Sequence, residues 1–469
     1  MSTLTSDGAI ELGRSATTGN SADTAHAAAI AARLERLPLT SYQRGIFAII
    51  ATAWFFDSMD LGALTFVLGP IRQTFGLSTS EAGLLSSMSF LGMFIGAASA
   101  GLLADRFGRT RVFQVSMIFW GLGSILCGLA PTVQTLAAAR VLLGFGMGME
   151  FPVAQSMVSE IVPARKRGRY IALLEGFWPL GFIASGLVAF AVLTVADWHW
   201  VFILQGIPAI FVLIVRRFVP ESPRWLASHG DAAGAERVMS EIEAKVSARL
   251  DGAALPAPSP EKIELRSQKG LATLFAPRYA RRTIMLWCLW FFALLGFYGL
   301  TTWLGALLQA KGFPVTKSVY YTILISLAGI PGFLTAAWLI EALGRKLTLI
   351  GALLGAALAA YLYGGATDQT QLILAGLCMQ FCAFGMWSAL YAYTPELYPT
   401  HVRATGTGFA SAIGRIGSLI GPSLIGFILP AAGQSGVFAL GAGAFALAAL
   451  VVLVLGEETK GRTLESISH

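Results

Sequence analysis

Six ionisable side chains lie inside long apolar stretches of this sequence: Asp57, Asp60, Arg140, Glu150, Glu175 and Arg415. A charge that faces lipid costs roughly 2.5–3.5 kcal/mol at the centre of a membrane helix, so we expect all six to face the protein interior or a water-filled cavity. The four acids outnumber the two arginines, and we predict that one or two carboxyls retain a proton. All four acids lie in the first half of the chain. We therefore expect that half to bind and release the protons of any proton-coupled process.

Asp57 and Asp60 form the closest pair of these groups. Being three residues apart, they lie on the same face of a helix, and ionisation of one opposes ionisation of the other. Arg140 is expected at a similar depth, and we predict that it pairs with Asp60. Which of the embedded acids carries the coupling proton stays open.

Glu150 and Glu175 each allow two interpretations. Glu150 either carries a proton or makes a structural hydrogen bond beside Pro152, and Glu175 either carries a proton or pairs with basic residues near Arg169. The predicted proton-coupling residues are therefore Asp57, Asp60, Glu150 and Glu175.

The second half of the sequence supplies aromatic rings and one arginine. Phe384, Trp387 and Tyr391 follow the i, i+3, i+7 spacing of one helix face. Aromatic walls suit a planar substrate, and an arginine binds a carboxylate through two parallel hydrogen bonds; ordinary helix packing would also account for part of this set. The predicted substrate-binding residues are Arg140, Trp178, Trp290, Tyr298, Trp303, Trp387, Tyr391 and Arg415.

The composition shows which elements must position these side chains. Hydrophobic residues make up 55% of the 469 residues and charged residues 13%, against roughly 25% charged residues in soluble proteins, and the mean hydropathy is +0.67. The apolar runs are continuous and reach about 20 residues, the length of a membrane-spanning helix. We predict an all-α integral membrane protein with twelve transmembrane helices in two pseudo-symmetric six-helix bundles. The four cysteines fall inside apolar runs, so we expect neither disulfides nor a metal site.

The apolar runs and the polar stretches between them divide the chain into five parts. We predict a disordered cytoplasmic tail at 1–43 that contains one short surface helix at 29–37, and a cytoplasmic linker with short amphipathic helices at 219–280. The bundles are predicted at 44–218 and 281–456, and a second cytoplasmic tail at 457–469.

A short charged segment interrupts the apolar runs at Gly101–Arg111 and has a counterpart in the second half. Asp105 and Gly108–Arg109 correspond to Glu341 and Gly344–Arg345 at an offset of 236 residues, since 341 minus 105 is 236. Further pairs at this offset are Glu160 with Glu396, Arg167 with Arg403, and Glu221 with Glu457. These matches predict a duplicated chain.

We expect the duplicated segments to form a cytoplasmic gate, in which acids and arginines pair with charges of the neighbouring bundle or with helix ends. A solvated turn is the simpler alternative. The residues assigned to the gate are Gly101, Asp105, Arg106, Gly108, Arg109, Glu160, Arg167, Glu221, Arg224, Glu341, Gly344, Arg345, Glu396 and Arg403.

The distribution of basic residues predicts the orientation. With the amino terminus inside, the exterior loops hold only Arg72, Lys311 and Lys317, and the interior loops hold most of the 33 Lys and Arg residues. The positive-inside rule then places both termini in the cytoplasm. The net charge of +7 reflects this topology, and we expect no nucleic-acid partner.

Residues 40–465 resemble the major facilitator superfamily. Gly101–Arg109 is similar to that family's loop between its second and third helices, and Pro220–Trp225 is similar to a segment of its sugar-porter-like branch. Within the branch, Asp57–Asp60 and Arg140–Pro152 resemble aromatic acid and nicotinate-type metabolite:proton symporters. The resemblance implies two bundles that rock about a central site and so give alternating access.

These patterns together predict a secondary transporter in the cytoplasmic (inner) membrane. We expect it to import a small organic anion by proton symport, an aromatic monocarboxylate such as nicotinate or a benzoate-like acid. The alternatives are a sugar or organic-cation facilitator or exporter of the same fold, or a non-transporting membrane receptor. No phosphate-binding loop and no nucleophile–base set occurs, so we expect no enzyme. The expected partners are the substrate, protons and the lipid bilayer, with no cofactor beyond the proton and a monomer as the functional unit.

Overall fold

The computed structural model describes residues 26–250, 254–258, 274–398 and 400–460, and every regular element in these ranges is helical. The first half contains α1 (26–35), α2 (Ser41–Phe75), α3 (Thr79–Phe107), α4 (Arg109–Gly128), α5 (Val133–Ile161), α6 (Ala164–Leu193) and α7 (Trp198–Phe218). Between the halves lie α8 (Pro223–Ser228) and α9 (Ala232–Ser247). The second half contains α10 (Pro277–Ala310), α11 (Val315–Leu343), α12 (Arg345–Gly364), α13 (Gln369–Glu396), α14 (400–432) and α15 (434–455).

A single glycine separates the last two helices. Residues Thr400–Leu455 are helical throughout except at Gly433, where φ is 61° and ψ is −169°. This conformation is strained for a residue with a Cβ atom and readily adopted by glycine. The break divides a 56-residue helix into two lengths that can each cross a membrane, so the described chain contains the twelve predicted spans in two sets of six.

The spanning helices are longer than the apolar runs from which they were predicted. The apolar run of the second span covers residues 82–104, whereas α3 extends over Thr79–Phe107. Its first turn is stabilised by a capping box, in which Ser78 accepts a hydrogen bond from the Glu81 amide and the Glu81 carboxylate accepts one from the Ser78 amide. A polar cap therefore extends α3 beyond its apolar run.

Successive spans run in opposite directions, which defines two ends of the molecule. We call the end that carries Gly108 and Gly344 the basic end, and the end that carries Gly76 and Gly433 the far end. The two halves pack most closely towards the far end, where α3 meets α14. A Cβ atom on Gly83 would lie 2.8 Å from the carbonyl oxygen of Pro422.

The short helix α1 packs on the linker. It was predicted as a surface helix at 29–37, and it forms at 26–35 with one face buried against α9. The apolar contact is made by Ile30, Leu34, Leu37, Ala235, Met239 and Ile242. Arg33 forms ion pairs with Glu236 at 2.7 Å and with Glu243 at 2.6 Å. Residues 1–25 of the predicted tail and 461–469 of the second tail lie outside the described residues.

Candidate functional site

A central cavity lies between the two halves and contains about 520 Å³ of space. The first half contributes Asp57 from α2 and Glu175 from α6, and the second half contributes Arg415 from α14. The remaining walls are Trp54, Leu61, Met93, Trp178, Pro179, Tyr298, Phe333, Phe384, Trp387 and Tyr391. Three of the six embedded charges predicted from the sequence thus line one cavity.

The three charged groups of the cavity are almost completely withdrawn from solvent. Asp57, Glu175 and Arg415 are 2%, 5% and 9% exposed. Arg415 is close enough to both acids to interact with them electrostatically, although in the described part of the chain no ion pair joins it to either one. Asp57 Oδ1 has no hydrogen-bond partner among the described residues. Glu175 Oε1 accepts a long hydrogen bond of 3.4 Å from Gln155.

Glu175 therefore lines the central cavity and does not lie at the basic end of the molecule. The alternative that it pairs with basic residues near Arg169 is wrong, because it lies on the inward face of α6 between Gln155 and the cavity. Since Arg415 belongs to the other half, a sequence search for acids close to it along the chain does not find Asp57 or Glu175.

Aromatic rings form one wall of the cavity, as their helical spacing on α13 predicts. Trp387 and Tyr391 are stacked, with ring centroids 5.6 Å apart and planes inclined by 23°. Trp178 reaches across from α6 and meets Tyr298 edge to face at 6.4 Å. The indole N–H of Trp387 is buried with no partner among the described residues. This wall can stack against a planar ring and donate one hydrogen bond to it.

Two of the predicted substrate-binding tryptophans do not line the cavity. Trp290 donates to Thr394 at 3.0 Å behind the Tyr391 ring. Trp303 lies towards the far end, where it donates to the carbonyl oxygen of Pro422 at 3.0 Å. Both indole N–H groups are satisfied within the protein, so the prediction that these residues contact substrate is replaced by a packing role.

The predicted ion pair between Arg140 and Asp60 does not form in this structure. Asp60 instead accepts a hydrogen bond of 2.6 Å from Ser124, and the Arg140 guanidinium lies 5.6 Å from the centre of the Phe202 ring. Arg140 lines a second, smaller cavity of about 330 Å³ on the far side of Trp178. The two groups are near enough to interact electrostatically, but they do not form the direct contact that the sequence predicts.

Glu150 makes the structural hydrogen bond that one of its two interpretations predicts. It is fully buried, and its Oε2 accepts a hydrogen bond of 2.7 Å from the indole of Trp120 on α4. It lines neither cavity. This bond links α4 and α5, but Glu150 Oε1 has no partner among the described residues, and the carboxylate is close enough to Asp57 to interact with it electrostatically. The assignment of Glu150 to proton coupling therefore stays a prediction.

The sequence reasoning missed several residues of the central cavity. Trp54 and Leu61 lie at i−3 and i+4 from Asp57 on α2. Residues at these spacings share a helix face, so the position of Asp57 could have identified both. Phe333 carried no such signal, because it lies on a helix without embedded charges.

The duplicated motif forms a brace within each half. In the first half, Arg109 pairs with Glu160, and Glu221 accepts hydrogen bonds from the amides of Arg109 and Thr110 at 2.9 and 3.0 Å. Ser222 donates its hydroxyl to Glu160. These contacts tie the amino-terminal end of α4 to the end of α5 and to the segment that follows α7.

The second half repeats this arrangement one residue out of register. Arg345 pairs with Glu396 at 3.0 Å, and Glu458 accepts hydrogen bonds from the amides of Arg345 and Lys346 at 2.9 and 3.1 Å. The structural counterpart of Glu221 is therefore Glu458, and the correspondence with Glu457 predicted from the offset of 236 is wrong. Glu457 instead pairs with Arg282.

Both braces require a glycine at the same point. Gly108 and Gly344 have φ of 97° and 102°, which side chains with a Cβ atom rarely adopt. A Cβ atom would also lie 2.5 Å from Glu221 in the first brace and 2.6 Å from Glu458 in the second. The carboxylates occupy the space that the missing side chains leave.

The other residues assigned to the gate have varied positions. Gly101 is exposed, the Asp105 carbonyl accepts from the Trp225 indole at 2.7 Å, and Arg106 lies over the Phe107 ring. Arg167 and Arg224 both pair with Glu35, and Glu341 pairs with Arg345. The side chain of Arg403 lies outside the described residues. In the described ranges no ion pair joins the two halves, so the expected pairing with the neighbouring bundle is not seen at this end.

Comparisons with known proteins agree with this architecture. Residues 23–469 match the family model described as Sugar (and other) transporter. The chain is 37% identical over 439 residues to the Niacin transporter NiaP of Acinetobacter baylyi, covering 93% of this chain and 99% of that protein. It is 30% identical over 396 residues to the 4-hydroxybenzoate transporter PcaK of the same organism, covering 84% and 86%.

Solved structures show the same fold. The xylose transporter XylE from E. coli, in a partially occluded inward open conformation, superimposes with a TM-score of 0.73 at 20% sequence identity, over 90% of this chain and 100% of that chain. Three findings therefore agree on the family. The chain has twelve spans in two halves, a central cavity lies between the halves, and the family model matches almost the whole length. The chain belongs to the Sugar (and other) transporter family and has the fold of the major facilitator superfamily.

Proposed function

We propose that this transporter imports a small aromatic monocarboxylate together with protons by alternating access. The observation that carries the proposal is the central cavity, in which Arg415 from one half faces Asp57 and Glu175 from the other between aromatic walls. An arginine binds a carboxylate, a planar ring stacks on Trp387 and Tyr391, and the two acids supply sites for protons.

The charge balance of the cavity links substrate to protons. Arg415 with two ionised acids leaves one net negative charge, and a bound carboxylate would raise this to two. Uncompensated charge in a buried cavity is strongly unfavourable, so the anion binds best when at least one acid is protonated. Substrate and proton then strengthen each other's binding by the same factor, as linkage requires.

The similar proteins support this class of substrate. NiaP and PcaK are named for niacin and 4-hydroxybenzoate, two small planar rings that carry a carboxylate. For this chain we propose the same chemical class, without choosing between a pyridine and a benzene ring.

The contacts between the halves support an inward-facing state. Gly83 approaches Pro422, and the Ser87 and Ser423 hydroxyls are hydrogen bonded at 2.6 Å, both towards the far end. At the basic end the ion pairs of the described chain stay within one half. With the basic loops in the cytoplasm, as the positive-inside rule indicates, the two termini are cytoplasmic and the far end faces outward in the inner membrane.

Uptake of ¹⁴C-labelled nicotinate and benzoate into proteoliposomes tests the proposal. We expect accumulation when the outside is acidic and none without a pH gradient. Arg415→Ala should weaken carboxylate binding at least about tenfold, because it removes a charge-assisted hydrogen bond. Arg237→Ala is the matched control, since Arg237 is exposed on α9 and lines neither cavity. Uptake of a sugar or an amine with no response to carboxylates, or transport independent of pH, would contradict the proposal.

A further inference from the structure

The second cavity lies between the central cavity and the far end. It contains about 330 Å³ of space. Leu61, Trp178 and Tyr298 line both cavities and therefore form the wall between them. Arg140 and Ser86 line it, each about two turns from the far end of its helix. The cavity is therefore a separate compartment along the same axis.

Arg140 brings an incompletely satisfied cation to this compartment. The side chain is 1% exposed, and its Nε and Nη1 make no hydrogen bond with the described residues. Asp60 is the nearby acid: its Oδ1 accepts a hydrogen bond from Ser124 and its Oδ2 has no partner among the described residues, but it forms no ion pair with Arg140 in the described chain. A buried guanidinium with free N–H groups is costly unless a partner reaches it.

The rest of the lining suits an anion with an apolar ring. Hydroxyl groups come from Thr65, Thr301 and Thr302, and apolar surface comes from Phe90, Phe182 and Phe297. The hydroxyl of Ser86 donates to the carbonyl oxygen of Ala82. Hydroxyls donate hydrogen bonds to carboxylate oxygens, and the lining contains no acid. The compartment thus repeats the combination of arginine and aromatic rings found in the central cavity.

The compartment is closed towards the far end in this structure. α2 and α10 approach closely there, since a Cβ atom on Gly305 would lie 2.6 Å from the carbonyl oxygen of Thr65. Arg72 lies over the Trp303 ring at 5.8 Å. When the halves separate at this end, the compartment becomes the first part of the path that a solute from that side reaches.

We propose that the Arg140 compartment is a second carboxylate subsite, which receives the substrate from the far end before it passes Trp178 and Tyr298 to reach Arg415. The subsite rests on the proposed function, because it takes the same aromatic monocarboxylate. In this proposal Arg140 binds a substrate anion directly, whereas in a purely ion-pairing role it would only neutralise an acid of the protein.

Equilibrium dialysis of ¹⁴C-benzoate with the purified full-length protein tests the subsite. We expect the wild-type protein to bind two molecules and Arg140→Gln to bind one, with the affinity of the remaining site changed less than threefold. Arg415→Gln should retain one site, and the double variant Arg140→Gln/Arg415→Gln should lose binding. Thermal unfolding of each variant checks that it is folded.

A conservative pair of variants keeps the test decisive if Arg140→Gln does not fold. Thr301→Val/Thr302→Val retains the charge and removes two hydroxyls, and we expect it to weaken the second site about threefold to tenfold while leaving the first unchanged. Thr52→Val, whose hydroxyl bonds to the Ala48 carbonyl on an exposed face, is the control.

The outcomes separate the two proposals. A single benzoate per wild-type protein that Arg415→Gln removes completely would overturn the subsite and leave the proposed function standing. The same holds if the threonine variant has unchanged binding. A wild-type protein that binds no carboxylate while it transports another solute would instead remove the proposed function itself.

Discussion

At the scale of single residues, the structure separates embedded acids that the sequence presents as equivalent. Glu150 is held by the Trp120 indole and lines neither cavity, whereas Asp57 and Glu175 share the central cavity with Arg415. Asp60 is close to Asp57 along the helix but bonds to Ser124. Asp57 and Glu175, which lie 118 positions apart in the sequence, thus have Arg415 as a common neighbour.

This arrangement predicts that Asp57 and Glu175 substitute for one another. Asp57→Asn and Glu175→Gln each leave one titratable acid beside Arg415, so we expect reduced but measurable accumulation in each. The double variant should bind and exchange substrate but not accumulate it, because no proton site remains in the cavity. Glu241→Gln is the control, since Glu241 is exposed on α9 and lines neither cavity. Uptake and exchange assays in proteoliposomes measure both activities; undiminished accumulation by the double variant would refute the assignment.

At the scale of helices, the apolar runs predicted all twelve spans, because a helix must satisfy its backbone within the bilayer and the required length is fixed. Their packing could not be read from the sequence. The Arg140–Asp60 pair failed because equal depth on two helices does not fix the angle at which their side chains point. The predicted substrate contacts of Trp290 and Trp303 are not seen, because an aromatic residue on an inward helix face can serve packing as readily as binding.

The linker also shows what the sequence leaves undetermined. Charged residues of α1 and α9 are ordinary for a surface helix, yet they form one contact. A hydrogen bond from Arg33 lowers the pKa of Glu243 more than burial raises it, and a second bond from Arg36 adds to the effect. The amphipathic pattern predicts that helices form here, but the contact between them depends on residues about 200 positions apart in the sequence.

The docking of α1 on α9 should therefore be sensitive to acid. A carboxylate with a lowered pKa stabilises the docked state at pH values above its ordinary value of 4.5, and this contribution is lost as the pH falls through the lowered pKa. We expect spin labels at Ala29→Cys and Ala244→Cys, in a background without native cysteines, to report one short distance at pH 7 and a broad distribution near pH 3. Glu243→Gln should show the weakened contact already at pH 7. An unchanged distance at both pH values in both proteins would contradict this role.

At the scale of the whole molecule, the parts that are duplicated lie apart from the parts that differ between the halves. The braces at the basic end are repeated in both halves, with Glu221 and Glu458 making equivalent contacts. The central cavity is asymmetric, since its acids come from the first half and its arginine from the second. Positions at the offset of 236 from Asp57 and Arg140 are Ala293 and Gly376. Stability at the helix ends is thus shared by the halves, whereas the proposed chemistry needs both together.

The asymmetric cavity also predicts the stoichiometry of transport. An empty cavity is neutral when Arg415 faces one ionised and one protonated acid, and a cavity with bound carboxylate is neutral when both acids are protonated. Each cycle then moves one additional proton with one monoanion, which is electroneutral. We expect about tenfold accumulation per pH unit, equivalent to about 1.4 kcal/mol, and no response to an imposed potential, although 100 mV would supply about 2.3 kcal/mol per charge. Potassium diffusion potentials set with valinomycin at constant pH measure this directly, and accumulation that rises with an interior-negative potential would show that a second proton is carried.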